Sequence, residues 1–203
     1  MAMSVVTTPD RCRRQHVTVL FIDIVGFTTL VEELDCAEVR ELQMEYFAQV
    51  SAVVRRFGGV VEKFVGDAVM AVFGVTGDPA AAAHAAVRAG LAVQQALRGR
   101  LLAGRHTVRT RVGVATGEVI VDLDATRDGG QGMVSGRVVT TASRLQTYAP
   151  HDTVVVCAQT RQITGALIAY QELPPMTMAG KPQPVELWRA LTLEAAPCIL
   201  AAA

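Results

Sequence analysis

The sequence predicts an α+β domain with a ferredoxin-like βαββαβ core, extended by further strands at its C-terminal end. The patterns run strand, helix, two strands, helix, strand between residues 16 and 123. A two-residue Gly66-Asp67 connection joins two short apolar runs, which is typical of a hairpin. Of the 203 residues, 51% are hydrophobic and 19% are charged, which favours a folded core over disorder.

A buried strand is predicted for residues 16–24, because the segment HVTVLFIDI is almost continuously apolar and rich in β-branched residues. Asp23 is the one acidic residue in that run and lies near its end. Gly26 interrupts the pattern, and Phe27 and Thr28 follow it. We expect residues 1–15 to form an N-terminal tail.

A long amphipathic helix is predicted for residues 35–57. Asp35 and Glu38 have the spacing of a capping box, and apolar residues then recur every three or four positions. Gly58-Gly59 ends the pattern, as glycine commonly does after a helix.

The hairpin around Gly66-Asp67 joins predicted strands at residues 60–65 and 68–73. Strict alternation along the first of these strands would place Lys63 on the same face as Val61 and Val65. Glu62 and Phe64 would then lie on the opposite face.

The second half continues with helices and strands in turn. Asp78-Pro79 opens a helix that we expect to reach about Leu102. The remaining predictions are strands at 109–115 and 118–123 around Thr116-Gly117, a loop at 124–136, a helix at 138–148, a strand at 153–157, a short helix at 159–165, and strands within 166–193 around a turn at 180–182.

Charge and cysteine content exclude several classes of protein. Basic and acidic residues number 19 each, so the chain lacks the positive charge of a duplex nucleic-acid binder. The four cysteines form no CxxC pair, which argues against a structural zinc site and a disulfide framework. No signal peptide and no apolar run of ~18 residues is present. We expect a cytoplasmic segment that spans no membrane and binds no nucleic acid.

Asp23 and Asp67 are the first candidate site residues. In a βαββαβ sheet the first and third strands are adjacent and antiparallel, so the end of the first strand meets the start of the third. The two carboxylates should therefore be neighbours, and a hard divalent cation such as Mg²⁺ would relieve their repulsion. The alternative is that Asp23 caps the following turn and Asp67 is an ordinary hairpin residue.

Two basic residues are further candidates. Lys63 is either a paired residue of an edge strand or a ligand donor. Thr140 and Arg144 are four residues apart and share a helix face. Arg144 is either a solvated helix residue or a cation that stabilises charge on a transferring phosphoryl group.

Several segments together resemble the catalytic domain of class III nucleotidyl cyclases. The two segments that resemble its metal motifs are VLFIDIVGFT at residues 19–28 and EKFVGDAVMAVF at residues 62–73. RVGVATGE at 111–118 resembles its central strand pair, GRVVTTASRL at 136–145 its transition-state helix, and the segment from MAGKP at 178–182 to Trp188 its closing hairpin. The likeness covers about residues 16–190. Residues 130–133, GQGM, most resemble actinobacterial members that often head longer multidomain regulators.

The resemblance implies the class III cyclase fold and an adenylate cyclase of low activity, which converts ATP to 3′,5′-cyclic AMP and pyrophosphate at the interface of a homodimer. The implied catalytic domain spans 16–192, with tails at 1–15 and 193–203. Asp23, Asp67 and the Ile24 carbonyl would bind two Mg²⁺ or Mn²⁺ ions. The implied catalytic residues are Thr140, which orients the ribose, and Arg144, which binds the phosphate. The implied substrate-binding residues are Lys63 and Met133 at the base, Lys181 at the triphosphate, and Phe27 and Thr28.

Two positions depart from the family pattern. Met133 has no side-chain oxygen to accept the adenine amino group, so it would pack or stack, or present its backbone carbonyl. Thr140 replaces an asparagine and is shorter. Lys63 favours ATP, because guanine-specific relatives usually carry a glutamate there.

The departures leave two alternatives to the main interpretation. One is a degenerate cyclase domain that binds nucleotide or dimerises to regulate an attached domain, and the other is a guanylate cyclase. A diguanylate cyclase is excluded because the sequence has no Gly-Gly-Asp-Glu-Phe motif.

Overall fold

A computed structural model describes residues 12–122, 124–125, 133–177 and 184–191. The described strands are β1 Cys12–Ile24, β2 Val60–Val65, β3 Ala68–Phe73, β4 Thr110–Asp122, β5 Val134–Ser135, β6 Thr153–Val156, β7 Tyr170–Met176 and β8 Val185–Ala190. The described helices are α1 Phe27–Glu33, α2 Cys36–Arg56, α3 Pro79–Leu97, α4 Arg137–Tyr148 and α5 Ala158–Thr164.

The strands form one mixed sheet in the order β2-β3-β1-β4-β6-β8-β7, with β5 paired to β4. The antiparallel group β2-β3-β1-β4 is the predicted ferredoxin-like core. Strand β6 joins β4 in parallel, and β8 and β7 extend the sheet beyond it. The α+β fold class and the C-terminal strand additions are confirmed.

Each face of the sheet is covered by its own apolar layer. Helices α2 and α3 pack on one face, where Tyr46 and Val87 are buried against residues such as Leu20. Helix α4 packs on the other face, where Leu145 joins a second cluster with Met70. Burial of both faces explains why the central strands are almost continuously apolar.

The two central strands are longer than predicted. Strand β1 begins at Cys12, so residues 12–15 belong to the sheet and not to a tail. Residues 110–122 form the single strand β4, whereas two strands around Thr116-Gly117 were expected. The reason is the partner strand: β1 pairs with β4 from Cys12↔Asp122 to Ile24↔Thr110 without interruption, and this ladder carries β4 through Gly117.

The helix predictions are confirmed except at two places. Asp35 caps α2 through the predicted capping box with Glu38. Helix α3 ends at Leu97 and not near Leu102, because Gly99 adopts a left-handed φ of 68° that a helix cannot continue through. Helix α1 was not predicted, since its N-cap is Gly26 and no side chain caps it.

Candidate active site

The structure brings Asp23 and Asp67 together, as the sequence predicts. Asp23 lies near the end of β1, and Asp67 lies in the turn between β2 and β3. Strands β1 and β3 pair in antiparallel register up to Ile22↔Val69, which places that turn beside the end of β1. The Asp67 Oδ2 atom accepts a 2.9 Å hydrogen bond from the backbone N–H of Ile24. Asp67 is therefore tied to β1 and is more than a hairpin residue.

The two carboxyl groups are close enough to share a hydrogen bond. Burial raises the pKa of Asp67 to about 7, and the hydrogen bond and charge of Asp23 add to the effect. The Ile24 N–H acts in the opposite direction. Near neutral pH the metal-free pair therefore retains a proton that a cation would displace.

Asp23 is held by two further side chains. The Arg111 Nη2 and Gln146 Nε2 atoms each donate a 2.8 Å hydrogen bond to the Asp23 Oδ2 atom. Both hydrogen bonds end on Oδ2, and neither uses the Oδ1 atom of Asp23. The guanidinium of Arg111 also supplies a positive charge, and its side chain is only 25% exposed.

Sequence reasoning did not identify Arg111 or Gln146 as members of the site. Arg111 is the direct cross-strand partner of Asp23, so the strand pairing alone could have found it. Gln146 had no such signal, because its position depends on how closely α4 approaches the sheet. That approach requires Gly113, where a Cβ atom would lie 2.3 Å from both the Ala142 carbonyl oxygen and the Gln146 nitrogen.

Tyr46 was also missed. It lies on α2, it is fully buried, and its hydroxyl has no hydrogen-bond partner among the described residues. Burial raises the pKa of Tyr46 well above its ordinary value, and the nearby charges of Asp67 and Asp23 raise it further. The phenol therefore stays neutral and adds no charge to the carboxylate pair.

The donor set fits a hard divalent cation. In the parts of the chain that the structure describes, no group of three His, Cys, Asp or Glu side chains could hold a metal by itself. Two carboxylates nevertheless suffice for Mg²⁺ when substrate phosphates complete the coordination. Burial and the neighbouring Asp23 raise the pKa of Asp67, which indicates that a second negative charge there is costly without a cation.

Strand β2 contains an irregularity that corrects the predicted face of Lys63. Val61 pairs with Ala71 and Lys63 pairs with Met70, so Glu62 is an extra residue and the strand has a β-bulge there. Lys63 consequently lies on the face opposite to Val61 and not on the same face. Its Nζ atom lies 3.3 Å from the Glu62 Oε2 atom.

Thr140 and Arg144 lie on α4 without hydrogen-bond or ion-pair partners among the described residues. Thr140 is exposed and Arg144 is half-buried. Neither side chain makes a hydrogen bond or ion pair with any other residue in the described ranges. The structure therefore does not join them to the Asp23 and Asp67 pair within one chain.

The remaining predicted contacts have different outcomes. The Met133 side chain is fully buried in the cluster below α4. Its role at the base, by packing, stacking or its backbone carbonyl, stays a prediction. The Met133 carbonyl accepts a hydrogen bond from the Asp122 N–H. Phe27 packs partly buried at the start of α1, and Thr28 beside it is exposed. Lys181 and residues 130–132 lie outside the described residues.

A family model described as the adenylate and guanylate cyclase catalytic domain matches residues 10–189. The solved adenylyl cyclase CyaB from P. aeruginosa is 26% identical, with a TM-score of 0.77 over 89% of this chain and 96% of that chain. The solved guanylyl cyclase Cya2 is also 26% identical, with a TM-score of 0.78 over 88% of this chain and 92% of that chain. The two structures are equally similar, so the likeness does not decide between the purines.

Proteins of similar sequence include uncharacterized proteins of Rhizobium meliloti and Mycobacterium tuberculosis. The first is 32% identical over 181 residues, or 88% of this chain, and the second is 30% identical over 182 residues, or 85% of this chain. The mycobacterial relative agrees with the predicted actinobacterial type. The chain spans 17% and 32% of the length of these two relatives. None of the described helices combines the length and apolar character that a membrane span requires.

Proposed function

Because the chain belongs to the adenylate and guanylate cyclase catalytic domain family, we propose that it is an adenylate cyclase domain that converts ATP to 3′,5′-cyclic AMP and pyrophosphate. The observation that carries the proposal is the contact between Asp23 and Asp67, with Asp67 tied to Ile24. Further proposals are that the domain extends to about residue 192 and that it belongs to a longer chain.

Asp23 and Asp67, with the Ile24 carbonyl, would hold two Mg²⁺ or Mn²⁺ ions. When bound, such ions lower the pKa of the attacking ribose 3′-hydroxyl and neutralise charge on the triphosphate. The role of Arg111 and Gln146 is to hold the Asp23 carboxylate in one orientation through its Oδ2 atom. Arg144 adds positive charge near the α-phosphorus as pyrophosphate leaves.

The preference for ATP rests on Lys63. A lysine ammonium only donates hydrogen bonds. The adenine N1 atom accepts one, whereas the guanine N1 atom carries a hydrogen and cannot. Lys63 is partly exposed, with 38% of its side chain accessible, so its ammonium is available to a ligand.

The complete site is proposed to form in a homodimer. One protomer supplies Asp23 and Asp67, and the other supplies Lys63, Thr140 and Arg144. The support is that neither Thr140 nor Arg144 makes a hydrogen bond or ion pair with another described residue. A surface with an exposed Thr140 and an Arg144 without an ion-pair partner suits a role across an interface.

A degenerate domain remains the second candidate, and specific observations favour it. Thr140 stands where the family pattern has asparagine, and the Met133 side chain is buried away from any base. Such a domain would bind nucleotide without converting it to product, or would only dimerise. Tight ATP binding without product would identify it.

A cyclase assay with purified protein separates these candidates. We expect cyclic AMP from Mn²⁺-ATP, less product with Mg²⁺, and at least ~10-fold less turnover of GTP than of ATP, corresponding to about 1.4 kcal/mol. The Asp67→Asn variant is the matched control, because it keeps the side-chain volume and removes the charge. Undetectable cyclic AMP at high enzyme concentration would contradict the proposal, and an equal rate with GTP would contradict the ATP preference.

A further inference from the structure

Glu62 is the most deeply buried acidic side chain that the proposed mechanism does not use. Its side chain has no exposed surface, and neither carboxylate oxygen accepts a hydrogen bond from the described part of the chain. Its one charged neighbour there is Lys63, with the ammonium nitrogen 3.3 Å from the Oε2 atom. A buried carboxylate is costly unless a positive charge accompanies it, so Lys63 is the group that makes this burial tolerable.

The β-bulge makes the contact possible. Adjacent residues in a regular strand point to opposite faces, so neighbouring Glu and Lys side chains would ordinarily diverge. In β2 the pairing passes from Val61↔Ala71 to Lys63↔Met70, which leaves Glu62 without a cross-strand partner of its own. The irregular backbone there lets the two side chains approach each other.

The two members of the pair differ in access to solvent. The Lys63 side chain is 38% exposed, whereas Glu62 is fully enclosed. A ligand can therefore contact the Lys63 side chain but not the Glu62 carboxylate. The carboxylate can act on a ligand only through Lys63, by restricting where its ammonium points.

We propose that Glu62 is a positioning residue for Lys63 and that the pair sets the purine preference of the site. The proposal rests on the function proposed above, in which Lys63 contacts the base. A lysine held at 3.3 Å by the charge of a buried carboxylate presents its N–H groups in a narrower range of directions. Adenine binds more tightly as a result, because its N1 atom accepts a hydrogen bond from the ordered ammonium. Guanine does not, because its N1–H is a donor and the ammonium cannot accept a hydrogen bond.

The first test needs no enzymatic activity. Thermal unfolding is measured for the wild type, Glu62→Gln, Lys63→Met and the double variant. Lys63→Met should lower the Tm by at least ~4 °C, because it leaves a buried carboxylate without its cation. The double variant should recover most of that loss, since it removes both charges. If the two substitutions act additively, the pair is not coupled and the proposal is overturned.

The second test measures the kinetic constants for ATP and GTP. Glu62→Gln keeps the side-chain size and removes the charge, so the KM for ATP should rise ~5-fold or more while kcat changes less than ~2-fold. The preference for ATP over GTP should fall by a similar factor. Glu172→Gln is the matched control, because Glu172 is an exposed glutamate on β7, the opposite edge strand of the sheet.

The outcomes distinguish this inference from the proposed function. If Glu62→Gln folds normally and leaves both the KM for ATP and the ATP preference unchanged, Glu62 only stabilises the fold and the positioning role is wrong. If the wild type makes no cyclic nucleotide, the proposed function fails, and equilibrium dialysis with ATP and GTP replaces the kinetic measurement. A selective loss of ATP affinity in Glu62→Gln would then still support the positioning role.

Discussion

The side chains around Asp23 at the end of β1 are hydrogen-bonded to one another within one chain, whereas the exposed side chains of α4 are not. Around Asp23, four side chains and one backbone N–H make a connected set, with every distance at 2.8 or 2.9 Å where a hydrogen bond is measured. On α4, Thr140 and Arg144 have no hydrogen-bond or ion-pair partner in the described part of their own chain. The same helix contributes to both regions, because Gln146 faces Asp23 while Thr140 faces solvent.

The contrast motivates the proposal that Thr140 and Arg144 act together with a second subunit. A carboxylate pair that is already packed and hydrogen-bonded is organised before any ligand arrives, which limits the ordering cost of binding. An exposed threonine and an unpaired arginine lack such organisation and would acquire it only from a partner or a substrate. Substitutions in the two regions should therefore affect activity in different ways.

The largest effect is expected from Asp67→Asn. The amide cannot carry the negative charge that a divalent ion requires, so turnover with Mn²⁺-ATP should fall at least ~100-fold, about 2.7 kcal/mol. The fold should survive, because the pKa of Asp67 is about 7 in the metal-free protein, so that the protein already carries the neutral carboxyl in about half of its molecules near pH 7. Turnover at the wild-type rate, in protein with an unchanged circular dichroism spectrum, would rule out the metal assignment.

Mixing two inactive variants tests whether α4 acts across subunits. Asp23→Asn and Arg144→Ala are each expected to be nearly inactive. In a heterodimer one of the two sites receives an intact Asp23 from one chain and an intact Arg144 from the other. An equimolar mixture should recover about a quarter of the wild-type activity, because half of the dimers are mixed and each has one working site. No recovery, in a mixture shown by labelled subunits to exchange, would place both residues in one chain's site.

Thr140→Asn should increase activity by a smaller factor. Asparagine has a longer side chain with both a donor and an acceptor, so it can orient the ribose directly. We expect kcat to rise ~10-fold, about 1.4 kcal/mol, with little change in KM. Thr141→Asn, one position along α4, is the control. An unchanged kcat in Thr140→Asn would direct attention to the buried Met133 as the cause of low activity.

A further prediction concerns the pH dependence of stability without metal. The pKa of Asp67 is about 7 in the folded protein against an ordinary value of 3.8. Between these values the folded state binds more protons than the unfolded state, so the contribution of Asp67 to stability falls as the pH rises from about 4 to 7. The Tm of the wild type should therefore decline relative to that of Asp67→Asn over this range. Parallel Tm curves for the two proteins would show that folding does not raise the pKa of Asp67.

Much of the site could be predicted from the sequence because it depends on local rules. The Gly66-Asp67 turn, the Asp35 capping box and the strand that ends near Asp23 are each encoded within a few residues. The order of those elements then implies that β1 and β3 are neighbours, which brings Asp23 to Asp67.

The predictions that failed depend on contacts between distant segments. Thr116-Gly117 was expected to separate two strands, yet 13 residues of β1 hold β4 in one continuous ladder. The predicted face of Lys63 assumed perfect alternation, and one extra residue in β2 reversed it relative to Val61. The sequence also carried no sign that the Met133 side chain is enclosed by the apolar layer under α4.

The sequence by itself determined the α+β architecture, the hairpin and the meeting of two carboxylates, because hydrophobic periodicity and turn residues act over short distances. The tertiary structure alone decided which side chains surround those carboxylates. Gln146 reaches Asp23 because α4 lies directly on Gly113, and Lys63 meets Glu62 because β2 bulges against β3. Both contacts depend on close packing between elements far apart in the chain, where a shift of one residue or one methyl group changes which atoms can touch.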